Sequence, residues 1–307
     1  MALPVARPGW VRPILLANLV AQVLIVVTGG VVRLTGSGLG CPDWPTCAQG
    51  SVVPVAAQAE GFHKFVEFGN RTLTGVLVAL AVASLWAVAT ALPQRRGLRR
   101  LGWLLIAGIL AQAVVGGITV WTGLNPAIVA FHFLASMVLV AAAAALLRGA
   151  EDGPGDGQRT VLVHPLVGRL AWWTFALGGV VLTLGTIVTG SGPHSGDADR
   201  PARTGFDPRV VSWIHADVVM VFLGLVVAVV VALRVAAPQA AARPAEIDRA
   251  RRTWTTVLVV ALLQGVIGYV QYFTNLPIVL VGTHMLGAAV LSLALVNGTL
   301  NLYRHPV

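Results

Sequence analysis

The sequence predicts an all-α membrane protein with eight transmembrane helices, and three observations lead to this prediction. Of the 307 residues, 56% are hydrophobic and only 11% are charged, whereas soluble globular domains carry about 25% charged residues. Eight apolar stretches approach or exceed the roughly 20 residues that a helix needs to cross the hydrocarbon core of a bilayer. The alternation of polar and apolar residues that marks a membrane β-barrel is absent, so the backbone of each span must be satisfied within a helix.

The predicted helices fall into two groups of four. The first group covers residues 13–34, 64–92, 102–122 and 127–148, and the second covers residues 168–190, 210–235, 253–273 and 277–300. Between the groups lies a stretch rich in glycine and charged residues, which is typical of a flexible linker. We therefore predict an amino-terminal four-helix half at 1–150, a cytoplasmic linker at 151–165 and a carboxy-terminal four-helix half at 166–307.

The net charge of +9 has a topological explanation. If the amino terminus is cytoplasmic, fifteen of the lysines and arginines lie on the cytoplasmic side and six on the outer side. This asymmetry follows the positive-inside rule and places both termini in the cytoplasm. No basic face studded with aromatic residues accompanies the charge, so a nucleic-acid partner is not expected. The sequence predicts a multi-pass protein of the cell (plasma) membrane, with the lipid bilayer as its surroundings.

The two halves are related by a sequence repeat. Residues 35–38 and residues 189–192 both read Thr-Gly-Ser-Gly. Because four helices return the chain to its starting side, the two bundles are expected to be parallel repeats about an axis along the membrane normal. The pairs matched at an offset of 152 are Gln112 and Gln264, Gly116 and Gly268, Thr122 and Thr274, Leu124 and Leu276, and His132 and His284.

Histidines within the predicted spans are the candidates for cofactor binding, because ionisable side chains are costly inside a membrane. His132, His215 and His284 lie near the outer ends of the fourth, sixth and eighth helices, and His63 begins the second. Two imidazoles on facing helices of a bundle can hold haem iron between them. The alternative is that each histidine only forms a hydrogen bond to a neighbouring helix. The repeat-matched pair His132 and His284 favours the ligand role.

Other polar residues surround these candidates. Glu67 is predicted to be catalytic, since a carboxylate near the edge of a haem can move protons or stabilise positive charge; the alternative is a simple ion pair with Arg71. Arg71 is in turn predicted to contact a haem propionate, because guanidinium matches carboxylate geometry. Cys41 and Cys47 fall in the first outer loop, where a disulfide bond is favoured over a metal site.

Several motifs resemble those of the haem A synthases. The run from Gly29 to Cys47, GGVVRLTGSGLGCPDWPTC, is similar to the first helix and outer loop of that family. Residues 67–71, Glu-Phe-Gly-Asn-Arg, resemble its Glu-x-x-His-Arg signature in the second helix. The resemblance covers essentially the whole chain. The family's histidines in helices four, six and eight are matched by His132, His215 and His284.

The resemblance implies a haem-modifying oxidoreductase that serves the assembly of haem-copper terminal oxidases. Such enzymes convert haem O to haem A by two successive hydroxylations of the C8 methyl group, which becomes a formyl group. By this resemblance the amino-terminal half binds haem O, which faces His132 and the catalytic Glu67. In the carboxy-terminal half, His215 and His284 ligate a haem b cofactor. The disulfide loop is implied to help receive haem from the haem O synthase, protohaem farnesyltransferase.

One departure from the family pattern bears on the substrate site. Asn70 stands where the signature has histidine, and an amide is a poor ligand for iron. His63, two turns earlier on the same face of the helix, is our predicted replacement, acting with His132 at the substrate haem. A second departure is that the third outer loop has no cysteines, which excludes a disulfide there.

Two other functions fit part of the pattern. A non-catalytic diheme cytochrome b would use four intramembrane histidines, yet it would need neither Glu67 nor the cysteine loop. A transporter with parallel repeats is disfavoured, because the helices lack the paired glycine and proline interruptions typical of substrate sites. The electron donor is not identified by any residue, and a homo-oligomer is one of the states that the sequence permits.

Overall fold

The computed structural model describes residues 5–152, 159–197, 201–240 and 242–304. Eight long helices account for most of these residues, and a two-residue strand β1 (Thr160–Val161) pairs antiparallel with β2 (Tyr303–Arg304). The helices are α1 (Pro8–Leu34), α2 (His63–Ala91), α3 (Arg96–Trp121), α4 (Pro126–Glu151), α5 (Pro165–Ser191), α6 (Pro208–Val235), α7 (Pro244–Phe273) and α8 (Ile278–Leu300).

All eight helices are long and apolar enough to cross a membrane. Only 11% to 33% of the most apolar window of each helix is buried inside the protein, so large apolar side chains cover the outside of the bundle. Such an apolar exterior is favourable in contact with lipid but unfavourable in contact with water. The predicted eight-span membrane protein is therefore confirmed, and the parallel repeat and the orientation of the termini stay predictions.

Several helices begin earlier than the sequence prediction, and the reason is local. Proline occupies the first turn of α1, α4, α5, α6 and α7, where its missing N–H and fixed φ suit a helix start. The largest difference is at α7, which begins at Pro244 and not near 253. Its first turn is polar and is closed by Glu246, which accepts the backbone N–H of Arg243 at 2.8 Å. The apolar run marks only the part of the helix within lipid.

The same pairs of helices pack together in each half. In the amino-terminal half α1 contacts α2 and α4, and α3 contacts α2 and α4; the carboxy-terminal half repeats this ring with α5 to α8. Within the described residues α2 and α4 share no extended contact, and neither do α6 and α8. These pairs therefore occupy diagonal corners of their bundles. The halves meet through α1 and α4 on one side and α5 and α8 on the other.

The turns before α4 and α8 have the same geometry. Leu124 and Leu276 both adopt a left-handed backbone with φ of 58°. The backbone N–H of Leu124 donates to Thr119 O, and that of Leu276 donates to Gln271 O, each at 2.8 Å. Because these residues are 152 apart in each pair, the sequence match and the backbone match coincide. The two turns therefore start α4 and α8 at equivalent positions along the bundle axis.

At the opposite end of the bundle the carboxy terminus holds the second half of the linker. The Leu162 N–H donates to Leu302 O at 3.0 Å beside the β1–β2 pair. Arg148 donates to Asn301 at 2.7 Å, which joins α4 to the end of α8. Of the predicted linker at 151–165, residues 153–158 lie outside the described residues.

Candidate functional site

Three of the predicted histidines share one pose. Each imidazole packs against a glycine of a neighbouring helix, so that a Cβ added at that glycine would lie 3.5 Å from the ring Cε1. This is an ordinary van der Waals distance, and the glycine brings its backbone directly to the edge of the ring. The pairs are His132 of α4 with Gly116 of α3, His215 of α6 with Gly185 of α5, and His284 of α8 with Gly268 of α7.

The ring nitrogens of these histidines are left without protein partners. Within the described part of the chain, Nδ1 of His132, His215 and His284 is buried and makes no hydrogen bond. The Val181 backbone faces the His215 ring, but no acceptor lies within hydrogen-bonding distance of Nδ1. The Nε2 atoms of the same three histidines are not fully buried, and among the described residues they form no hydrogen bond. Nε2 is thus free to bind a ligand, which is rare for a polar atom inside a bundle.

The helix arrangement places these rings suitably for a porphyrin. His215 and His284 stand on diagonal helices of the carboxy-terminal bundle. Neutral imidazoles are good ligands for haem iron, and a bundle interior is a common place for such sites. The donor atoms and the diagonal placement fit a haem. The described residues contain no group of three or more His, Cys, Asp and Glu that would hold a bare metal ion.

The backbone of α4 at His132 is held by α3. Gln112 donates from Nε2 to the His132 carbonyl at 2.7 Å and also to the Ser136 hydroxyl. In the carboxy-terminal half the matching Gln264 lies against Gly287, where even a Cβ would clash with its amide. The repeat match of the two glutamines therefore marks a helix contact beside each histidine.

His63 has a different environment from the other three histidines. It occupies the first position of α2, as predicted. Its Nδ1 is hydrogen-bonded to the Ser37 hydroxyl at 2.8 Å, and its ring packs on Phe62 with centroids 4.0 Å apart. A histidine whose Nδ1 is hydrogen-bonded keeps Nε2 as its coordinating atom. Ser37 was not singled out from the sequence, and its place in the Thr-Gly-Ser-Gly run was the only signal.

Asn70, the residue that departs from the family signature, faces α1. Its Oδ1 accepts a hydrogen bond from the Thr28 hydroxyl at 2.7 Å. The amide therefore ties α2 to α1 at the position where a histidine was expected.

Glu67 is 5% exposed and both of its carboxylate oxygens are engaged. Oε1 accepts from Arg71 Nε at 3.0 Å and from Nη2 at 2.5 Å, and Oε2 accepts the backbone N–H of Cys41 at 2.7 Å. The ion pair with Arg71, which the sequence offered as the alternative to a catalytic role, is therefore present, and the catalytic role of Glu67 stays a prediction. Cys41 is disulfide-bonded to Cys47, as predicted. The carboxylate is held in place by the disulfide loop on one side and the arginine on the other.

Arg71 binds the backbone of the Cys41–Cys47 loop. Beyond Glu67, its guanidinium donates to the carbonyls of Cys41, Asp43 and Thr46 at 2.8 to 2.9 Å. A guanidinium has five N–H donors, so these contacts and the two to Glu67 account for all of them. Arg71 therefore acts within the protein here, and its predicted contact with a haem propionate stays a prediction.

Arg33 joins the two halves at the outer end. Its guanidinium leaves α1 and donates to His194 O at 2.8 Å and to Thr189 O at 3.1 Å. The His194 ring in turn bonds to Leu276 O at 2.9 Å, in the turn before α8. The Gly38 N–H donates to Gly196 O at 2.8 Å beside this chain of contacts. The two long outer loops are thus interlocked.

The fold and the site together define a polytopic membrane bundle with histidines on diagonal helices and unbonded Nε2 atoms. The profile of the cytochrome oxidase assembly protein family, COX15-CtaA, matches residues 12–296. The chain belongs to this family.

Curated relatives agree with the assignment. The chain is 36% identical over 115 residues to a Heme A synthase of Geobacillus kaustophilus, covering 36% of this chain and 33% of that protein. It is 35% identical over 128 residues to a Heme A synthase of Lysinibacillus sphaericus, covering 41% of this chain and 40% of that protein. A Protoheme IX farnesyltransferase of Thermus thermophilus is 32% identical over 193 residues, covering 59% of this chain and 30% of that protein. The matches to Heme A synthases thus span about a third to two fifths of those proteins.

Proposed function

We propose that the chain is a haem A synthase, an oxidoreductase that converts haem O to haem A. Two successive hydroxylations of the C8 methyl group, followed by dehydration of the diol, would produce the formyl group. The observation that carries this proposal is the common pose of three histidines with unbonded Nε2 atoms, in a chain whose relatives include Heme A synthases.

The carboxy-terminal half is the proposed site of a haem b cofactor. His215 and His284 would hold it from diagonal helices, with their rings against Gly185 and Gly268. A bound haem b would supply one-electron transfer for the oxidation of the substrate. Because both histidines would be used as ligands, this half would have no open iron position for chemistry.

The amino-terminal half is the proposed substrate site. His132 would face haem O, and His63 is the proposed second ligand in place of Asn70, which bonds to Thr28. Glu67 is the proposed catalytic carboxylate. Arg71 and the Cys41 N–H hold its oxygens, so it would present a fixed negative charge that stabilises positive charge as electrons leave the substrate, or accepts the proton released with those electrons. Arg71 is proposed to position Glu67, and a contact with a haem propionate would require it to release one of its loop carbonyls.

The Cys41–Cys47 loop is the proposed place where haem O arrives from protohaem farnesyltransferase. The Protoheme IX farnesyltransferase of Thermus thermophilus contains, over 30% of its length, a stretch similar to 59% of this chain, so a segment like this one is covalently joined to the remainder of that protein. The loop lies directly above Glu67 through the Cys41 N–H. A haem delivered at this loop would enter beside the carboxylate.

The proposed setting is the cell membrane, with both termini in the cytoplasm and the site near the outer surface. Fifteen cationic residues on the side of the termini against six on the other support this orientation. The recurring ring of helix contacts and the identical turns at Leu124 and Leu276 support parallel repeats.

The deciding experiment is haem extraction from membranes of a host that makes haem O and lacks haem A. Co-expression of the chain is expected to convert part of the haem O pool to haem A, detected by chromatography and mass. A matched culture expressing Glu67→Gln is expected to keep its haem O. A purified protein that binds two haems without producing haem A would instead favour the diheme electron carrier.

A further inference from the structure

A groove opens between α2 and α3 at the end of the bundle that carries the termini. It has a volume of about 540 Å³. Val82, Leu85 and Ala89 line it from the last turns of α2, and Arg96, Arg99 and Arg100 line it from the start of α3. The groove is therefore apolar toward the membrane interior and cationic at its mouth. We call it the α2–α3 groove.

The spacing of the residues explains the shape. Positions 96, 99, 100 and 103 follow the three- and four-residue intervals that share one face of a helix. Gly102 lies at the contact between α2 and α3. Its lack of a side chain lets the two helices approach, since a Cβ there would lie 3.0 Å from Leu85 Cδ1. Trp103, which is 62% exposed, and Trp86 complete the lining. Tryptophan is enriched at the level of lipid headgroups.

The positive charge of the groove is not neutralised by any residue that the structure describes. None of the described lining residues is acidic. Across the described ranges, Arg96, Arg99 and Arg100 form no ion pair or side-chain hydrogen bond. Three adjacent guanidinium groups repel one another, and they are most stable when an anion lies between them.

The carboxy-terminal half provides an internal comparison. At the offset of 152, positions 96, 99, 100 and 103 correspond to Asp248, Arg251, Arg252 and Thr255. Arg251 is paired with Asp248 at 3.6 Å and donates to Leu233 O at 2.9 Å. The equivalent surface therefore lacks the tryptophan and carries a partly compensated charge. The cationic groove belongs to the amino-terminal half and is not a general consequence of the repeat.

We propose that the α2–α3 groove binds an anionic phospholipid, with its phosphate among the three arginines and its acyl chains along α2. Guanidinium groups bind phosphate oxygens in a bidentate manner. Basic pockets between transmembrane helices are suited to anionic headgroups. The apolar wall favours a lipid over free phosphate as the ligand. A lipid would contact both the arginines and the apolar wall, whereas a soluble anion would contact the arginines alone.

The test uses the full-length protein in nanodiscs of phosphatidylcholine with a minor share of phosphatidylglycerol. Native mass spectrometry then counts the phosphatidylglycerol molecules retained by the protein. The variant R96Q/R99Q/R100Q is expected to retain at least about tenfold less than the unmodified chain, given the contribution of each arginine at a membrane surface. The matched control is R234Q/R249Q/R252Q, which removes the same charge from the other half and is expected to retain as much as the unmodified chain.

Two further measurements identify the ligand. Inorganic phosphate in excess is expected to leave the retained lipid unchanged, and Trp103→Ala is expected to lower retention severalfold. Equal losses in both triple variants would mean a nonspecific charge effect and would overturn the proposal. Displacement of the lipid by inorganic phosphate, or full retention by R96Q/R99Q/R100Q, would overturn it as well. Haem content and haem A formation do not enter these readouts, so the test is independent of the proposed function.

Discussion

The two halves share a frame and differ in what surrounds their histidines. His132 and His284 follow identical left-handed turns and pack on equivalent glycines. In the second helix of each half the pattern diverges: His215 of α6 corresponds to His63 at the offset of 152 and to Asn70 by the family motif. Under the proposed function the repeat would supply two places for a porphyrin, and these differences between the halves would decide the role of each.

The outer loops differ even more. In the amino-terminal half the loop is closed by a disulfide and held by Glu67 and Arg71. In the carboxy-terminal half the described part of the loop has no cysteine; Arg33 of α1 donates to the His194 carbonyl, and the hydroxyls of Ser191 and Thr204 are hydrogen-bonded at 2.5 Å. A buried carboxylate is costly to keep without partners. Among the described residues, Glu67 has such partners in Arg71 and the Cys41 N–H.

The largest expected effect comes from removing a histidine of the carboxy-terminal half. We expect His284→Ala to abolish the b-type absorbance of the purified protein, because the remaining imidazole holds the iron from one side only. His164→Ala is the control, since this residue caps α5 away from the site. An unchanged spectrum in His284→Ala would remove the basis for a cofactor half.

Glu67→Gln should distinguish the proposed roles of the two halves. We expect haem A formation to fall by at least about 100-fold, the usual contribution of a positioned acid or base, while the b-type spectrum stays. The measurement is haem extraction beside an absorbance spectrum of the same membranes. Arg71→Lys is the companion variant: it keeps the charge and loses most of the loop contacts, so an intermediate activity is expected. Normal haem A yield from Glu67→Gln would make the ion pair purely structural.

The exchange of histidine positions in α2 tests whether the first half can resemble the second. We expect His63→Ala to weaken haem O retention about tenfold, as is typical for altered ligand shells, and the double variant His63→Ala/Asn70→His to recover it. The measurement is haem O retained by purified protein. Ser37→Ala serves as a control that removes the hydrogen bond to His63 Nδ1 and keeps the ring. If His63→Ala retains haem O fully, the proposed replacement ligand is wrong.

The smallest effect is expected from the disulfide. Cys41→Ser/Cys47→Ser opens a short loop, which should lower the free energy of unfolding by about 2 kcal/mol through the greater freedom of the unfolded chain. A thermal unfolding curve in detergent measures this. The spectrum of the carboxy-terminal half should not change, because Arg71 still holds the loop carbonyls. A loss of that spectrum would show that the halves are coupled through the outer loops.

Much of this architecture was readable from periodicity and composition. The eight spans follow from apolar length, because a lipid environment leaves the backbone no other hydrogen-bonded form. The two halves, the histidine positions and the cysteine pair follow from repeat spacing and motif. The helix starts were misjudged most at α1, α3 and α7, since proline or polar first turns continue a helix beyond the apolar run.

Other features depend on contacts between residues far apart in sequence, and only the folded chain reveals them. The bond from Arg33 to His194 joins residues separated by 161 positions. The use of all five Arg71 donors depends on how the disulfide loop folds back over α2. Local sequence determines where a helix runs in lipid because each span satisfies its own backbone. Which polar side chains stay free for a ligand is decided by packing, since a donor or acceptor is free only when no neighbour reaches it.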